Sequence, residues 1–246
     1  LRGTVQMTQP TAAMLVIGDE ILSGRTRDSN MYHLAGQLTE RGINLCEVRV
    51  VSDDADAITG AVKALSAAYD HVFTSGGIGP THDDITADCI AAAFDAHIDV
   101  RDDARALLQA HYDRQGMKFN AARQRMARIP DGATLIENPV SVAPGFTMEN
   151  VHVMAGVPSV FQAMVESILP TLTGGAPLIS RTRRIDRGEG DIAGPLGELA
   201  QAYPGLSIGS YPFQKDGRYG ANIVLRGTDA DLLDEAVAKL DAAFPA

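Results

Sequence analysis

Residues 74–86 have the sequence TSGGIGPTHDDIT, between a short apolar run at 71–73 and a helix-forming segment at 88–94. This order predicts a buried strand, a glycine-rich loop and a helix. The glycines permit a sharp turn with backbone N–H groups close to a ligand, and the positive end of the following helix favours a phosphate. Because the adjacent carboxylates of Asp83 and Asp84 would repel a phosphate, the loop predicts a metal-bridged phosphate or diphosphate site. The alternative is a tight turn in which one of these aspartates only caps the helix.

The composition limits the classes of protein that the chain can belong to. It has 246 residues, 45% of them hydrophobic, and a formal net charge of −10. This charge argues against a general nucleic-acid or membrane-surface role, and no apolar run is long enough to span a bilayer. The beginning of the chain has no signal-peptide pattern, so we expect a cytoplasmic protein with a flexible tail at residues 1–11. Cys46 and Cys89 lack metal-ligand spacing, and we expect both to be buried thiols.

Strands and helices alternate through the first two thirds of the chain. The continuous apolar run at 12–17 predicts a strand buried on both faces. Further strands are predicted at 43–51, 71–74 and 151–154, with helices at 28–42, 58–65 and 160–172 between or after them. This order predicts a three-layer α/β/α domain with a mostly parallel sheet, which we place at 12–173.

Acidic residues follow each of the first three predicted strands. Asp19 and Glu20 follow the first strand, Asp53 the second, and Asp83 and Asp84 the third. Because the carboxyl ends of parallel strands lie at one edge of the sheet, these side chains are candidates for one ligand site. Aspartate is also common as a helix cap after a strand, and that alternative stays open for each of them.

Two further segments are candidates for ligand contact. Residues 120–128 predict a basic helix, and Arg123 is our candidate clamp on a phosphate. The turn that contains Gly156 and Pro158 is a second glycine-containing connection between a strand and a helix.

The segment 173–177 is short and rich in glycine and proline, and it predicts a domain boundary. Beyond it, the order of elements is strand, helix, a hairpin around 215–217 and a final helix at 229–244. We therefore expect a small α+β domain at 178–246.

Several of these motifs resemble a known family. They are GDEILSG (18–24), DSN (28–30), SGGIGPTHDDIT (75–86), APGF (143–146) and GVP (156–158). Together they resemble the molybdopterin-binding domain of MoaB and Mog proteins and, more narrowly, the N-terminal domain of the competence/damage-inducible protein CinA. The resemblance extends from about residue 12 to 172, and the small unit resembles the middle region of CinA. The deamidase domain that often follows in CinA is not implied.

The resemblance implies that the partner is a small molecule. Members of the family form oligomers, so the resemblance also implies a homo-oligomer. In the MoaB and Mog branch it implies molybdopterin binding and, in some members, adenylylation with Mg²⁺ and ATP. In the CinA branch it implies a metal-dependent pyrophosphatase that acts on ADP-ribose, and a similar domain in some FAD synthases hydrolyses FAD. The Asp83-Asp84 pair departs from the MoaB and Mog pattern and agrees with that of CinA, which favours hydrolysis.

The residues and the resemblance together lead to a set of expected roles. The cofactor is a divalent metal (Mg²⁺, Mn²⁺ or Co²⁺), optionally with K⁺, and molybdopterin is the alternative ligand. The alternative function is binding or carriage of molybdopterin without turnover. The metal ligands are Asp19, Glu20, Asp83 and Asp84; the catalytic residues are Asp84 and Asp53; the ligand contacts are Gly76, Gly77, Gly79, Thr81, Ser23, Asp28, Asn30, Arg123, Pro144, Gly145, Gly156 and Pro158.

Overall fold

The computed structural model describes residues 9–215 and 217–245. The chain divides into two compact units between Gly175 and Ala176. Of the tail predicted at residues 1–11, residues 1–8 lie outside the described residues, whereas Thr11 already belongs to the first strand. Within the described ranges, no helix has the length and apolar composition needed to cross a membrane.

The first unit is built on a six-stranded mixed sheet with the order β2-β1-β3-β8-β7-β6. The first four strands in this order run parallel, and β7 and β6 pair antiparallel to their neighbours. A small antiparallel pair, β4 and β5, lies outside this sheet. The strands are β1 (Thr11–Ile17), β2 (Asn44–Val51), β3 (His71–Ser75), β4 (Ile98–Val100), β5 (Arg128–Pro130), β6 (Thr134–Ile136), β7 (Gly145–Met148) and β8 (Val151–Met154).

Helices cover both faces of the sheet, which confirms the predicted three-layer architecture. They are α1 (Asp19–Leu22), α2 (Asn30–Glu40), α3 (Ala55–Ala68), α4 (Thr86–Ala93), α5 (Asp102–Arg114), α6 (Ala121–Gln124) and α7 (Pro158–Ile168). Apolar side chains of α2 and α7 form one core, and those of α3, α4 and α5 form the other. Strand β1 contributes alternate residues to the two cores, for example Leu15 to one and Met14 to the other. This explains why its sequence is apolar throughout.

Strand β2 lies at the edge of the sheet, and this position contradicts one expectation. Cys89 is buried in α4, but Cys46 is exposed. The expectation of two buried thiols was therefore wrong for Cys46, because one face of an edge strand is only partly covered by helices. On that face Val48 and Val50 are also exposed, by 40% and 41%.

The predicted basic helix at 120–128 is much shorter in the structure. Helix α6 ends at Gln124, and a 3-10 turn follows at 125–127. Arg128 is already the first residue of β5 and pairs with Val100 of β4. The prediction of one continuous helix was wrong because pairing of β5 with β4 requires an extended backbone from Arg128 onward.

The second unit is an α+β layer, as predicted. It consists of β9 (Ile179–Ile185), α8 (Glu189–Ala202), β10 (Ser207–Lys215), β11 (Arg218–Gly227) and α9 (Ala230–Ala243). Its antiparallel sheet has the order β10-β11-β9, and both helices pack on a core that includes Ile192, Ile223 and Val237. The predicted hairpin is formed by β10 and β11, although Asp216 in its turn lies outside the described residues.

Candidate functional site

A pocket of about 570 Å³ opens at the carboxyl ends of β1, β2, β3 and β8. Strand β1 has β2 on one side and β3 on the other, so the connections that follow β1 and β2 lead to opposite sides of β1. Such a switch point is where open parallel sheets bind ligands. The pocket is lined by residues that follow all four strands, including Gly18, Glu20, Asp53, Gly76, Gly77, Gly79, Asp83, Asp84, Gly156 and Pro158.

The glycine loop after β3 has a backbone that only glycine accommodates easily. Gly76 has a φ of 113° and Gly77 a φ of 68°. A Cβ atom on Gly77 would collide with Oγ1 of Thr86, and one on Gly76 would collide with the carbonyl oxygen of Ile17. Thr86 is fully buried, and its hydroxyl donates to the Gly76 carbonyl at 3.0 Å. The loop therefore packs tightly against the start of α4 and the end of β1.

The backbone N–H groups of this loop are not all available to a ligand. Gly76 donates to the carbonyl of Met154 at 3.1 Å. Its predicted role as an N–H donor to phosphate is therefore wrong, because that proton joins the ends of β3 and β8. Among the described residues, the N–H groups of Gly77, Ile78 and Gly79 have no acceptor. These three form the donor set of the loop between β3 and α4.

Thr81 holds both aspartates of the loop. Oδ2 of Asp84 accepts from the Thr81 N–H at 2.8 Å and lies 2.6 Å from the Thr81 hydroxyl. Oδ1 of Asp83 also lies 2.6 Å from that hydroxyl, which lowers the pKa of Asp83. A Cβ atom on Gly79 would lie 2.6 Å from Oδ2 of Asp84, so glycine allows the carboxylate to fold over the backbone. Neither aspartate caps α4, whose N-cap residue, Ile85, makes no side-chain cap.

The predicted acidic residues gather around Asp53. Its Oδ2 accepts from the Asp19 N–H at 3.0 Å, which joins the ends of β1 and β2. Burial raises the pKa of Asp53, and the carboxylates of Asp19, Glu20 and Asp83 raise it further, against the lowering effect of that N–H. In the described ranges, however, no three histidine, cysteine, aspartate or glutamate side chains are close enough together to hold a metal ion. Asp54 caps α3 by accepting from the Ala57 N–H at 2.9 Å.

Two basic residues line a small pocket beside the glycine loop, Arg125 and Arg128. Arg128 is paired with Asp88, whereas Arg125, which the sequence analysis did not single out, contacts the loop. Its Nη2 donates to the main-chain carbonyl of Asp84 at 3.1 Å, and its Nε is buried with no hydrogen-bond partner. Arg125 lines a small pocket with Gly77, Gly79 and Asp84. The predicted clamp, Arg123, instead lies over the ring of Tyr112 at 4.4 Å. No spacing rule distinguishes the two arginines, because only the 3-10 turn determines which one faces the loop.

The remaining predicted contacts have mixed positions. Asn30 lines a smaller pocket beside the main one. Asp28 caps α2 by accepting from the N–H of Met31 at 3.0 Å, although it also lines that smaller pocket. Ser23 is exposed and follows α1. Gly145 is buried in β7, where a Cβ atom would collide with the Val153 carbonyl, so its glycine serves strand packing.

Another wall of the main pocket comes from the segment 138–143, of which the sequence analysis singled out only Ala143, in the APGF motif. Asn138 is 4% exposed. It donates to Ser141 Oγ at 2.6 Å and to the Ala143 carbonyl at 2.8 Å, and its Oδ1 accepts from the N–H groups of Val140 and Ser141. Asn138, Ser141 and Ala143 all line the main pocket. Pro144, which was predicted as a contact, lines the small pocket of Arg125.

Comparison with known proteins shows the family. A family model described as "Probable molybdopterin binding domain" matches residues 13–174, and the chain belongs to this family. A second model, described as "FAD synthase, middle domain", matches residues 177–246. The two matches meet where the two compact units meet.

Individual relatives support the CinA-type resemblance. A CinA-like protein of Citrifermentans bemidjiense is 38% identical over 66% of this chain and 40% of its own length. A probable FAD synthase of Caenorhabditis elegans is 31% identical over 94% of this chain and 49% of its own length. The chain thus spans about half, or less, of these two relatives. The crystal structure of the protein CinA of unknown function from Thermoplasma acidophilum has a TM-score of 0.61 and 32% identity, over 66% of this chain and 97% of that one.

Proposed function

We propose that the first unit is a divalent-metal-dependent pyrophosphatase that cleaves a substrate with a nucleoside diphosphate linked to another group, such as ADP-ribose. The observation that carries this proposal is the meeting of two kinds of group around the glycine loop. The loop N–H groups have no acceptor among the described residues, and Arg125 Nε is buried without a partner in the small pocket that shares Gly77, Gly79 and Asp84 with the main one. Carboxylates that follow β1, β2 and β3 line the main pocket. Anion-binding and cation-binding groups around one loop suit a metal-bound diphosphate.

We place the phosphates beside the free donors of the loop. The N–H groups of Gly77, Ile78 and Gly79 lie in the loop that leads into α4, and the N–H of Thr86, the first residue of α4, donates to the Gly77 carbonyl. The positive end of the helix dipole favours negative charge near this position. A guanidinium has five N–H donors in a fixed fork. The buried Nε–H of Arg125 has no acceptor among the described residues. A phosphate oxygen between the loop and Arg125 would satisfy both.

The carboxylates fit a divalent cation by their chemistry. Carboxylate oxygens are the ligands that Mg²⁺ and Mn²⁺ prefer. Burial raises the pKa of Asp53, and the carboxylates of Asp19, Glu20 and Asp83 are close enough to raise it further. Since no three of these side chains in the described ranges are close enough to hold an ion by themselves, one or two of Glu20, Asp83 and Asp84 would bind it together with oxygens of the diphosphate. Asp19, which donates its N–H to Asp53, would orient the Asp53 carboxylate beside them. When bound, the ion would neutralise charge on the diphosphate and lower the pKa of a water molecule.

Asp53 is the proposed base. Its raised pKa makes it a better proton acceptor than an ordinary aspartate, and it lies beside the other carboxylates in the pocket. It would take the proton of the attacking water as that water forms a bond to one phosphorus atom and the bridging oxygen leaves with the other. With ADP-ribose, the products are AMP and ribose 5-phosphate.

The name of one relative supports a substrate of this class. One relative is called a probable FAD synthase, and FAD contains the same adenosine diphosphate group as ADP-ribose. FAD is therefore the second substrate that we propose to test. The family description favours one alternative, binding or adenylylation of molybdopterin without hydrolysis. For either function we propose a cytoplasmic homo-oligomer, with K⁺ as an optional second cation.

The test is hydrolysis of ADP-ribose by the purified full chain with Mg²⁺, Mn²⁺ or Co²⁺, with and without K⁺. We expect AMP release that requires the divalent metal and falls at least about 100-fold in Asp84→Asn, because a negative metal ligand is lost. Absence of turnover with both ADP-ribose and FAD would reject hydrolysis, and affinity for molybdopterin would then test the alternative.

A matched pair of arginine variants tests the phosphate position. Loss of a charged hydrogen bond of about 1.5–3 kcal/mol predicts that Arg125→Met weakens substrate binding roughly 10- to 150-fold. Arg123→Met is the control, because Arg123 packs on Tyr112 and lines neither pocket of the loop. Equal effects of the two substitutions would contradict the assignment of Arg125.

A further inference from the structure

A second, smaller pocket of about 50 Å³ adjoins the main pocket and shares Glu20, Gly156 and Pro158 with it. At its end lies Asn30, the first residue of α2, which is 3% exposed. Its Oδ1 is buried and has no hydrogen-bond partner. A buried acceptor without a donor is costly, so this atom calls for a partner from outside the chain.

The orientation of the Asn30 amide follows from its neighbours. Its amide nitrogen lies 2.8 Å from the carbonyl oxygen of Gly156 and 2.8 Å from Ser75 Oγ. A carbonyl oxygen can only accept, so the NH₂ group must face Gly156 and Oδ1 is left on the other side. A flipped amide would place two acceptors together and is excluded.

Ser75 completes a pair of complementary groups. Its Oγ accepts from Asn30, so its own hydroxyl proton is available to a second acceptor. Asn30 Oδ1 is therefore a free acceptor and the Ser75 hydroxyl a free donor, on two hydrogen-bonded side chains that both line the smaller pocket. Apolar side chains of Val16, Ile17 and Ile21 line the same pocket and suit the carbon atoms at one edge of a ring.

We propose that Asn30 and Ser75 recognise the amidine edge of a nitrogen heterocycle, that is, an amino group next to an unprotonated ring nitrogen. The amino group donates to Asn30 Oδ1, and the ring nitrogen accepts from the Ser75 hydroxyl. The pocket admits this edge but not a whole bicyclic ring, since about 50 Å³ corresponds to only a few water molecules. The rest of the ring lies in the main pocket. This inference rests on the proposed function, of which it specifies the base.

Both substrates considered above carry such an edge, namely adenine and the aminopyrimidine ring of a pterin. Their oxo counterparts carry the opposite pattern. Inosine has a carbonyl and a ring N–H where adenosine has the amino group and ring nitrogen, and lumazine likewise lacks the amino group of pterin. The two pairs of compounds therefore test the edge separately from phosphate, metal and turnover.

The experiment measures the affinity of the full chain for adenosine, inosine, pterin and lumazine in buffer with EDTA, by ligand-observed NMR. A bidentate pair is worth about 1–3 kcal/mol of discrimination. We expect at least one amino compound to bind roughly 5- to 150-fold more tightly than its oxo counterpart, and the preferred pair identifies the source of the ring. None of these compounds is a pyrophosphatase substrate, so failure of hydrolysis leaves the result unaffected.

Two variants locate the discrimination. Ser75→Ala removes only the hydroxyl and keeps the Asn30–Gly156 bond, and we expect it to reduce the preference about tenfold. Ser66→Ala is the control, because that hydroxyl is bonded to Asn150 at the end of α3, outside both pockets. Equal affinities within both pairs, an unchanged preference in Ser75→Ala, or no binding of any of the four compounds would overturn the proposal.

Discussion

The substitution Gly77→Ala tests the packing that shapes the phosphate loop. Gly77 has a φ of 68°, where a residue with a Cβ atom costs about 1–2 kcal/mol. The new Cβ atom would also collide with Oγ1 of Thr86, a side chain that is fully buried and bonded to the Gly76 carbonyl. Overpacking of this kind costs about 1–3 kcal/mol. We therefore expect the free energy of unfolding of the first unit to fall by about 2–5 kcal/mol.

Gly116→Ala is the matched control. Gly116 has a φ of 65°, and nothing lies within 4 Å of the position of its Cβ atom. It carries the backbone cost alone, about 1–2 kcal/mol. Thermal unfolding followed by circular dichroism, with urea unfolding as a second measurement, should place Gly77→Ala several degrees below Gly116→Ala, since about 1 kcal/mol corresponds to roughly 2–4 °C for a unit of this size.

A double-mutant cycle isolates the collision. Thr86→Ala alone should destabilise by about 1–3 kcal/mol, because the Gly76 carbonyl loses its donor. In the Gly77→Ala background, the same change also removes the colliding oxygen. The sum of the stability losses of the two single mutants should therefore exceed the loss in the double mutant by at least about 1 kcal/mol. Additive effects, or equal stability of Gly77→Ala and Gly116→Ala, would refute the view that Thr86 enforces glycine at this position.

Three further predictions concern stability. His152 is buried beside His71, and burial first and that neighbour second lower its pKa to about 3. His152 stays neutral in the folded state, whereas in the unfolded chain it binds a proton below about pH 6.5. The free energy of unfolding should therefore fall by up to about 1.4 kcal/mol per pH unit as the pH is lowered from about 6.5 toward 3. Urea unfolding of His152→Gln should show a weaker dependence of this free energy on pH. Asp54→Ala should lower the free energy of unfolding by about 1 kcal/mol through loss of the α3 cap. In the same urea assay Asp54→Asn should retain most of the wild-type stability, because an asparagine can also cap the helix. Asn138→Ala should cost roughly 2 kcal/mol and speed hydrogen exchange of the Val140 and Ser141 amides, and unchanged exchange would mean that Asn138 does not hold this wall.

Local pattern was sufficient for most of the fold. The apolar run of β1 predicted a strand buried on both faces, and the glycines after β3 predicted a turn into α4. The order of strands and helices predicted the parallel sheet, because a parallel connection requires a crossover and usually a helix. Local pattern failed to predict the end of the helix that begins near residue 120. The helical pattern continues through residues 125–127, but these form a 3-10 turn because the next residues, in β5, pair with β4, which is distant in the chain.

The approximate location of the site was also predictable, but its working groups were not. Parallel strands bring their carboxyl ends to one edge whatever their side chains, so Asp53 and Asp83 were expected together, and both line the main pocket. Whether an individual atom is free depends on partners far away in the chain. The Gly76 N–H is occupied by Met154, whereas the Nε of Arg125 and Oδ1 of Asn30 are buried without partners. Periodicity and spacing determine which segments form strands and helices, and so at which edge of the sheet the loops meet. Only the packed tertiary structure decides which hydrogen-bonding groups remain free to bind a ligand.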